Sequence, residues 1–321
     1  MNFNSTNLLF FNTMMIGVMV SLSSNNWVNM WTGMEIGVLS LVPMMTQEKI
    51  SSDSPIKYFL IQSISSSLMI LSLMAMSMEI NFKMIMLISM MIKIGASPFH
   101  NWVLSMIEGM NFYMMLMMFT IIKIPGMLVI SMMNEQTQIW SVMSMLTGSM
   151  LAMNQCSIKK ILALSSIYNL GVMMSSMNSN EIWINYMLIY SMTLMMIIPL
   201  FFKMKTMYLN QMMLNEIEPM TKVSIWISFM SMAGLPPLMG FSAKMMVLEK
   251  MIIKKEVIMM SIMVFSSMMI MFLYTRISLN SIMIQSTHYK WSMMKNDNIS
   301  TKILMINFMM FPVCLTLKSL S

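Results

Sequence analysis

The sequence predicts an all-α, polytopic membrane protein with about eleven transmembrane helices in two inverted five-helix repeats. Hydrophobic residues make up 57% of the 321 residues, charged residues only 10%, and the mean hydropathy is +0.72. A soluble surface needs roughly a quarter charged residues. Apolar runs follow one another along the chain, each near the roughly 20 residues that cross a bilayer. They lack period-2 alternation, and an open sheet edge is not tolerated in lipid, so we predict that they are helices.

Short polar breaks divide the chain into eleven predicted spans: 5–24, 27–45, 56–78, 84–104, 110–133, 138–156, 160–177, 182–202, 222–255, 257–279 and 301–320. The ninth is too long for one straight crossing at about 1.5 Å per residue. It contains GLPPLMG at 234–240, in which two prolines remove backbone donors and forbid a continuous helix. We predict one crossing built from two half-helices. Two short crossings are the alternative, and they would reverse the last spans.

The positions of the prolines suggest an internal symmetry. Span 4 carries IKIGASPFHNW (92–102) and span 9 carries AGLPPLMGFSAK (233–244). We predict a single transmembrane domain, 1–321, in which repeat one covers 5–133, repeat two covers 138–279, and a terminal helix covers 301–320. Five crossings per repeat would invert the second repeat. Interrupted helices in matching places are typical of inverted-repeat transporters.

Four ionisable side chains lie inside apolar runs: Glu35, Lys93, Lys123 and Lys244. Charge at the centre of a bilayer is costly, so such groups normally face the protein interior or a water-filled cavity and mark an ion or proton path. The hypothesis is that Glu35 modulates Lys93, that Lys93 exchanges protons through water with Lys123, and that Lys244 occupies the far half-channel. The alternative for each of the three lysines is that its amine extends to the lipid headgroups, and the alternative for Glu35 is a static salt bridge.

Two further features extend this hypothesis. His100 titrates in a range suited to proton exchange, although a packed, hydrogen-bonded histidine is the alternative. Proline also deprives a carbonyl four residues earlier of its donor. Pro98 is therefore predicted to free the carbonyl of Ile94, and Pro125 that of Ile121, for water beside the lysines.

The sequence offers no redox centre, metal site or nucleic-acid surface. Cys156, Cys314, His100 and His288 are isolated, which leaves too few ligands for haem or an iron–sulfur cluster. The net charge of +7 is spread over loops rather than clustered, so we predict no nucleic-acid binding.

Composition and charge distribution predict the compartment and the orientation. The 59 methionines, and a single arginine among 19 basic residues, are typical of an AT-rich organellar genome that reads ATA as methionine, hence a mitochondrion. Residues 1–7 (MNFNSTN) carry no arginine-rich presequence. Eleven basic residues flank spans on the amino-terminal side and five on the other, which predicts the amino terminus in the matrix and the carboxyl terminus in the intermembrane space. The eleven are Lys49, Lys57, Lys159, Lys160, Lys203, Lys205, Lys222, Arg276, Lys290, Lys295 and Lys302, and the five are Lys83, Lys250, Lys254, Lys255 and Lys318.

Five segments together resemble subunit 2 of mitochondrial NADH:ubiquinone oxidoreductase, respiratory complex I. They are WTGMEIGVLSLVP (31–43), SPIKYFLIQS (54–63), IKIGASPFHNWV (92–103), NQCSIKKILALSSIYNLG (154–171) and GLPPLMGFSAK (234–244). They occur in the family's order, and their joint occurrence is highly specific. Ser97, Asn101 and the proline-free loop SMIEG (105–109) depart from the family's pattern.

The resemblance implies an antiporter-like, proton-translocating subunit of the membrane arm, in the mitochondrial inner membrane. It puts the family's acidic position on Glu35 and its three lysine positions on Lys93, Lys123 and Lys244. It implies no cofactor in this chain, because NADH, flavin, iron–sulfur clusters and ubiquinone bind other subunits. The implied partners are neighbouring antiporter-like and small membrane-arm subunits and membrane lipids. A free-standing cation/proton antiporter and a structural scaffold with inert ion pairs are the alternatives.

Overall fold

The computed structural model describes residues 5–46, 53–78, 82–133, 137–214, 219–283 and 298–320. Within these ranges the chain forms fifteen α-helices and no strand, apart from an isolated antiparallel bridge between Ser157 and Tyr208. The helices are α1 (Ser5–Ser23), α2 (Trp27–Thr46), α3 (Asp53–Ser77), α4 (Lys83–Ile94), α5 (Asn101–Ile107), α6 (Phe112–Phe119), α7 (Lys123–Met132), α8 (Gln138–Met153), α9 (Ile158–Ser175), α10 (Asn180–Met204), α11 (Leu209–Leu214), α12 (Pro219–Ala233), α13 (Met239–Ile253), α14 (Val257–Met283) and α15 (Asn298–Leu320).

The chain divides into two compact units, Met1–Trp140 and Ser141–Ser321. In the first unit α1 packs along α2, α3 packs on α2, α4 and α5, and α7 contacts α1, α2 and α4. Glycines set the close approach of α1 to α2, because a Cβ added to Gly33 would lie 2.6 Å from the carbonyl oxygen of Gly17. Methionines such as Met86, Met90 and Met91 fill much of this core, as their flexible side chains allow.

In the second unit α12 packs against α10, α14 and α15, and α13 contacts α9, α10 and α15. An aromatic cluster joins three of these helices. The ring centroids of Phe201 and Phe229 lie 5.6 Å apart, and those of Phe229 and Tyr274 lie 5.3 Å apart. Such pairs add roughly 0.5–1.5 kcal/mol beyond the energy of burying their surface. They join α10, α12 and α14, and all three helices contact α13.

Two helices are interrupted in the same way, at the places where the sequence predicts breaks. After α4, Gly95 adopts φ 75°, and the N–H of Ala96 donates to the carbonyl of Met91 at 3.1 Å. After α12, Gly234 adopts φ 80°, and the N–H of Leu235 donates to the carbonyl of Met230 at 3.2 Å. Both are Schellman caps, in which only glycine takes the left-handed conformation without penalty. The predicted ninth span is therefore two helices, α12 and α13.

The predicted fifth span is also interrupted, but not where the sequence suggests. The helix breaks at residues 120–122, and Pro125 lies in the first turn of α7, where its missing N–H would have no helical acceptor. The carbonyl of Ile121 accepts a hydrogen bond from the N–H of Ile124 at 3.4 Å. The prediction that Pro125 frees the Ile121 carbonyl is therefore wrong. The short helix α11 was not predicted.

Five segments of the described chain are long and apolar enough to cross a membrane: Ser5–Ser23, Asp53–Met76, Phe112–Met132, Asn180–Met204 and Val257–Leu279. The count of eleven spans and the inverted repeats stay predictions. Lys49, Lys290, Lys295 and His288, and the side chains of Cys314 and Lys318, lie outside the described part of the structure.

Candidate functional site

The predicted pair of Glu35 and Lys93 is in direct contact. Glu35 lies on α2 and Lys93 in the last turn of α4, and the lysine Nζ donates a hydrogen bond to Glu35 Oε1 at 2.6 Å. The side chain of Lys93 is 6% exposed and that of Glu35 is 22% exposed. A charge-assisted hydrogen bond of this length is among the stronger polar contacts in proteins. The structure therefore gives the buried cation a carboxylate partner.

The interruption after α4 fixes the position of Lys93. The break leaves the last carbonyls of α4 without helical donors, and two side chains supply them. Trp102 Nε1 on α5 donates to the carbonyl of Ile92, and Gln62 Nε2 on α3 donates to the carbonyl of Lys93, each at 3.1 Å. Both donors are buried. Sequence reasoning missed these roles, although a lone glutamine inside an apolar span was a usable signal.

A small cavity of about 30 Å³ lies beside Lys93. That volume accommodates roughly two water molecules, at about 10–15 Å³ for each. Its walls come from five helices of the first unit and the turn before α7. They are formed by Val18, Gly33, Met34, Gly37, Val38, Gln62, Lys93, Ile94, Ile122, Pro125 and Gly126. Lys93 and Gln62 are the polar side chains among these walls, and they are the groups there that offer hydrogen bonds to water.

Lys123 is the first residue of α7 and is 6% exposed. Its Nζ lies 5.1 Å from the ring centroid of Phe119, the last residue of α6. A cation over an aromatic face at this distance is stabilised electrostatically. Ile122 and Pro125, which flank Lys123, line the cavity beside Lys93. The cavity thus extends from Lys93 to residues on either side of Lys123, which is not itself among the residues that line it.

Lys244 lies on α13 in the second unit and is 7% exposed. Its Nζ donates to the carbonyl oxygen of Ala233 at 2.6 Å and lies 5.5 Å from the ring centroid of Tyr168. A Cβ at Gly234 would lie 2.9–3.1 Å from the lysine side chain. Glycine at the helix break therefore permits both the left-handed backbone and the approach of the lysine.

His100 is held by the backbone next to it. Its Nδ1 lies 3.2 Å from the carbonyl oxygen of Pro98, and its buried Nε2 has no hydrogen-bond partner among the described residues. Of the five predicted residues, the structure joins Glu35 to Lys93. It brings His100 to Pro98, Lys123 to Phe119 and Lys244 to Ala233 and Tyr168.

The second unit also contains a buried polar contact that sequence reasoning missed. Tyr186 on α10 donates its hydroxyl to Asn169 Oδ1 on α9 at 2.8 Å, and both side chains are buried. Asn169 follows Tyr168, whose ring lies beside the Lys244 ammonium. The pair of Tyr186 and Asn169 joins α9 to α10 through buried polar side chains.

Helices interrupted at glycine and proline, with buried lysines at the interruptions, define an antiporter-like membrane protein that moves ions or protons. Residues 77–270 match the family described as NADH:quinone oxidoreductase/Mrp antiporter, transmembrane. The chain is 32% identical over 321 residues to NADH-ubiquinone oxidoreductase chain 2 of Anopheles gambiae, with 94% of each chain covered. It is 34% identical over 303 residues to the same protein of Locusta migratoria, covering 90% and 89%. The chain therefore belongs to the NADH-ubiquinone oxidoreductase chain 2 family.

A solved structure has the same fold. A chain in respiratory complex I from Thermus thermophilus with bound aureothin superposes with a TM-score of 0.82, covering 97% of this chain and 78% of that one. The two sequences are 16% identical, so this comparison concerns the fold alone. The resemblance seen in five sequence segments is thus confirmed at the level of the family.

Proposed function

We propose that this chain is a core membrane-arm subunit of a proton-pumping NADH:ubiquinone oxidoreductase, and that it translocates protons through Glu35, Lys93, Lys123 and Lys244. The observation that carries the proposal is the ion pair of 2.6 Å between Lys93 and Glu35, at a helix interruption and beside a cavity of about 30 Å³. Family membership supports the assignment to the oxidoreductase.

The proton step begins at the ion pair. Attraction between two charges is strong where the dielectric constant is low, so Glu35 stabilises the ammonium form of Lys93. When the two groups separate, the ammonium loses that stabilisation and donates a proton to water in the cavity. The water passes a proton toward Lys123. Neutral Lys93 then takes up a proton from water on the uptake side as it pairs with Glu35 again, because the carboxylate favours the ammonium form. No covalent or redox chemistry is needed in this chain.

Lys244 is the distal member of the relay. Its cation is stabilised by the Ala233 carbonyl at the end of α12 and by the Tyr168 ring, and no carboxylate of the described residues contacts it. The carboxyl end of a helix carries partial negative charge, which favours a cation. His100, buried at the break after α4, is a further candidate for proton exchange.

The same proposal includes the location of the chain, its topology and its partners. The chain lies in the mitochondrial inner membrane and crosses it eleven times, with its amino terminus in the matrix and its carboxyl terminus in the intermembrane space. The Schellman caps at Gly95 and Gly234 support two inverted repeats. Neighbouring antiporter-like and small membrane-arm subunits are its partners. NADH, flavin, iron–sulfur clusters and ubiquinone bind to other subunits.

The description of the matching family also names Mrp antiporters, which favours a second candidate, a free-standing cation/proton antiporter. The two functions differ in the size of the native assembly. On a native gel, the oxidoreductase assignment requires that this chain migrate with a very large assembly that oxidises NADH. Migration as a small complex without that activity would support the antiporter.

The proposal is tested by protons pumped per electron in assembled complexes that carry Lys93→Met. We expect the ratio to fall, with Lys57→Met as a matched control, because Lys57 is an exposed lysine on α3. The same ratio in both variants would contradict the proposed relay. Poor assembly of Lys93→Met with a normal ratio in the assembled fraction would support an inert, structural ion pair instead.

A further inference from the structure

A second cavity, which the proton relay does not use, lies in the second unit. It has a volume of about 310 Å³ and is formed by the end of α8, the 154–156 loop, α9, α11 and α14. We name it the Arg276 cavity, after the one arginine of the chain. Its lining residues are Ala152, Met153, Asn154, Gln155, Cys156, Ile161, Leu209, Asn210, Met212, Leu273, Arg276 and Ile277. Its volume reaches the lower end of the range for small-molecule sites, roughly 300–1,000 Å³.

The lining is divided into an apolar floor and a polar rim. Ala152, Ile161, Met212, Leu273 and Ile277 form the floor and are buried. The exposed rim carries Asn154, Asn210 and Arg276. An apolar floor below a polar, cationic rim matches a ligand that has both an apolar part and an anionic part. A free inorganic anion would leave the floor without a partner.

Among the described residues, the lining of the cavity carries a net positive charge. None of the residues that line it is acidic, and no described residue forms an ion pair with the Arg276 guanidinium. The planar guanidinium binds phosphate oxygens with two parallel hydrogen bonds. A ligand with net negative charge would neutralise the site, whereas a zwitterionic headgroup would bring an ammonium to a rim without a carboxylate.

The wall of the cavity is held in place by backbone hydrogen bonds. The N–H of Ile158 donates to the carbonyl of Met207 at 3.0 Å, and the N–H of Leu209 donates to the carbonyl of Cys156 at 3.1 Å. These bonds join the connection between α8 and α9 to the segment before α11. Backbone hydrogen bonds therefore fix the two segments of this wall to each other.

An apolar surface leads away from the cavity along α14. Phe265, Met268 and Phe272 are exposed and lie eleven, eight and four residues before Arg276, which places all four on one face of the helix. Such a face suits acyl chains beside a headgroup held at Arg276. We propose that the Arg276 cavity binds the phosphodiester headgroup of an anionic glycerophospholipid, whose acyl chains lie along this face of α14.

A native side chain reports on occupancy, because Cys156 is a free, exposed cysteine in the lining. The native membrane assembly that contains this chain is delipidated in detergent, and modification of Cys156 by N-ethylmaleimide is followed by peptide mass spectrometry. Phosphatidylglycerol in the detergent micelles, at about ten times its dissociation constant, is expected to slow modification about tenfold. Phosphatidylcholine and inorganic phosphate are expected to leave the rate unchanged.

Each alternative result overturns the proposal. Equal protection by phosphatidylcholine would show unspecific covering by lipid, and equal protection by inorganic phosphate would show a site for small anions. Absence of protection, or a Cys156 that is unreactive after delipidation, would show that no lipid reaches the cavity. Arg276→Gln is expected to abolish protection by phosphatidylglycerol. Lys254→Gln, the same change of charge outside the cavity, is expected to retain it.

Discussion

The Lys244 ammonium donates a hydrogen bond of 2.6 Å to the carbonyl oxygen of Ala233, the last residue of α12. Lys93 instead bonds to the carboxylate of Glu35. The two lysines therefore lie at similar helix interruptions but are stabilised differently, one by an acid and one by a helix end. The carbonyls at a helix carboxyl end act as a partial negative charge of about half an elementary charge. The end of α12 therefore stabilises the charge of Lys244, and the ammonium in turn satisfies a carbonyl at that helix end.

Gly234→Ala is expected to destabilise the break by about 1–2 kcal/mol, the cost of a left-handed conformation for an L-residue. Its Cβ would also displace Lys244, whose Nζ lies 3.0 Å from that position. We expect a lower thermal denaturation midpoint of the assembled complex and fewer protons pumped per electron. Gly234→Asn separates the two effects, because asparagine tolerates this conformation but still carries a Cβ. Gly234→Ala with normal stability and pumping would contradict the arrangement.

Tyr168→Leu is expected to lower the stability of the assembled complex and its pumping ratio, because the Nζ of Lys244 lies 5.5 Å from the ring centroid and would lose that contact. A cation over an aromatic face contributes about 0.5–2 kcal/mol. Tyr168→Phe retains the ring and is expected to pump normally. The loss of stability caused by Tyr168→Leu also includes lost packing. The same substitution is therefore measured in a Lys244→Met background, where the loss of stability is expected to be smaller by the cation–π contribution. An equal loss of stability in both backgrounds would show that the ring does not act on the ammonium.

Local sequence signals predicted much of the structure. Charges inside apolar runs indicated the four central residues. Prolines indicated both interruptions, but the glycine caps that end α4 and α12 were not predicted. The break at residues 120–122 could not be predicted, because no glycine or proline lies within it and Pro125 falls after the new helix has begun. The contacts of Gln62 and Trp102 with α4 depend on how three helices pack. Such contacts are tertiary, so a lone glutamine in an apolar span can indicate a buried polar role but not the carbonyl that it contacts.

Gln62→Ala is expected to destabilise the first unit by about 1–3 kcal/mol, the cost of leaving a buried polar group unsatisfied. The carbonyl of Lys93 would lose the donor that lies 3.1 Å away. Ser63→Ala is the matched control on the same helix, because the hydroxyl of Ser63 donates within its own helix, to the carbonyl of Leu60. The measurement is the denaturation midpoint of the assembled complex together with its pumping ratio. Equal midpoints for the two variants would show that Gln62 does not hold the end of α4.

Gly37→Ala tests whether the cavity beside Lys93 carries protons. Gly37 lines that cavity, and a Cβ added to it would meet no atom within 4 Å. The methyl group therefore enters open space without a clash, and alanine favours the helix by about 0.5–1 kcal/mol over glycine. Assembly and stability are expected to be unchanged or improved.

Proton transfer is expected to slow in Gly37→Ala even though the complex is stable, because a methyl group takes the place of about one of the roughly two water molecules that the cavity holds. We expect pumping to fall about two- to tenfold, a rise of about 0.4–1.4 kcal/mol in the barrier. Gly37→Leu, which fills more of the space, is expected to reduce it further. The measurement is the initial rate of proton uptake into liposomes during NADH oxidation. Gly37 has no side chain that could bond to Glu35 or Lys93. A pumping rate that falls stepwise from glycine to alanine to leucine would therefore identify the open volume, rather than the ion pair alone, as the route. Unchanged pumping in both variants would show that protons leave Lys93 by another path.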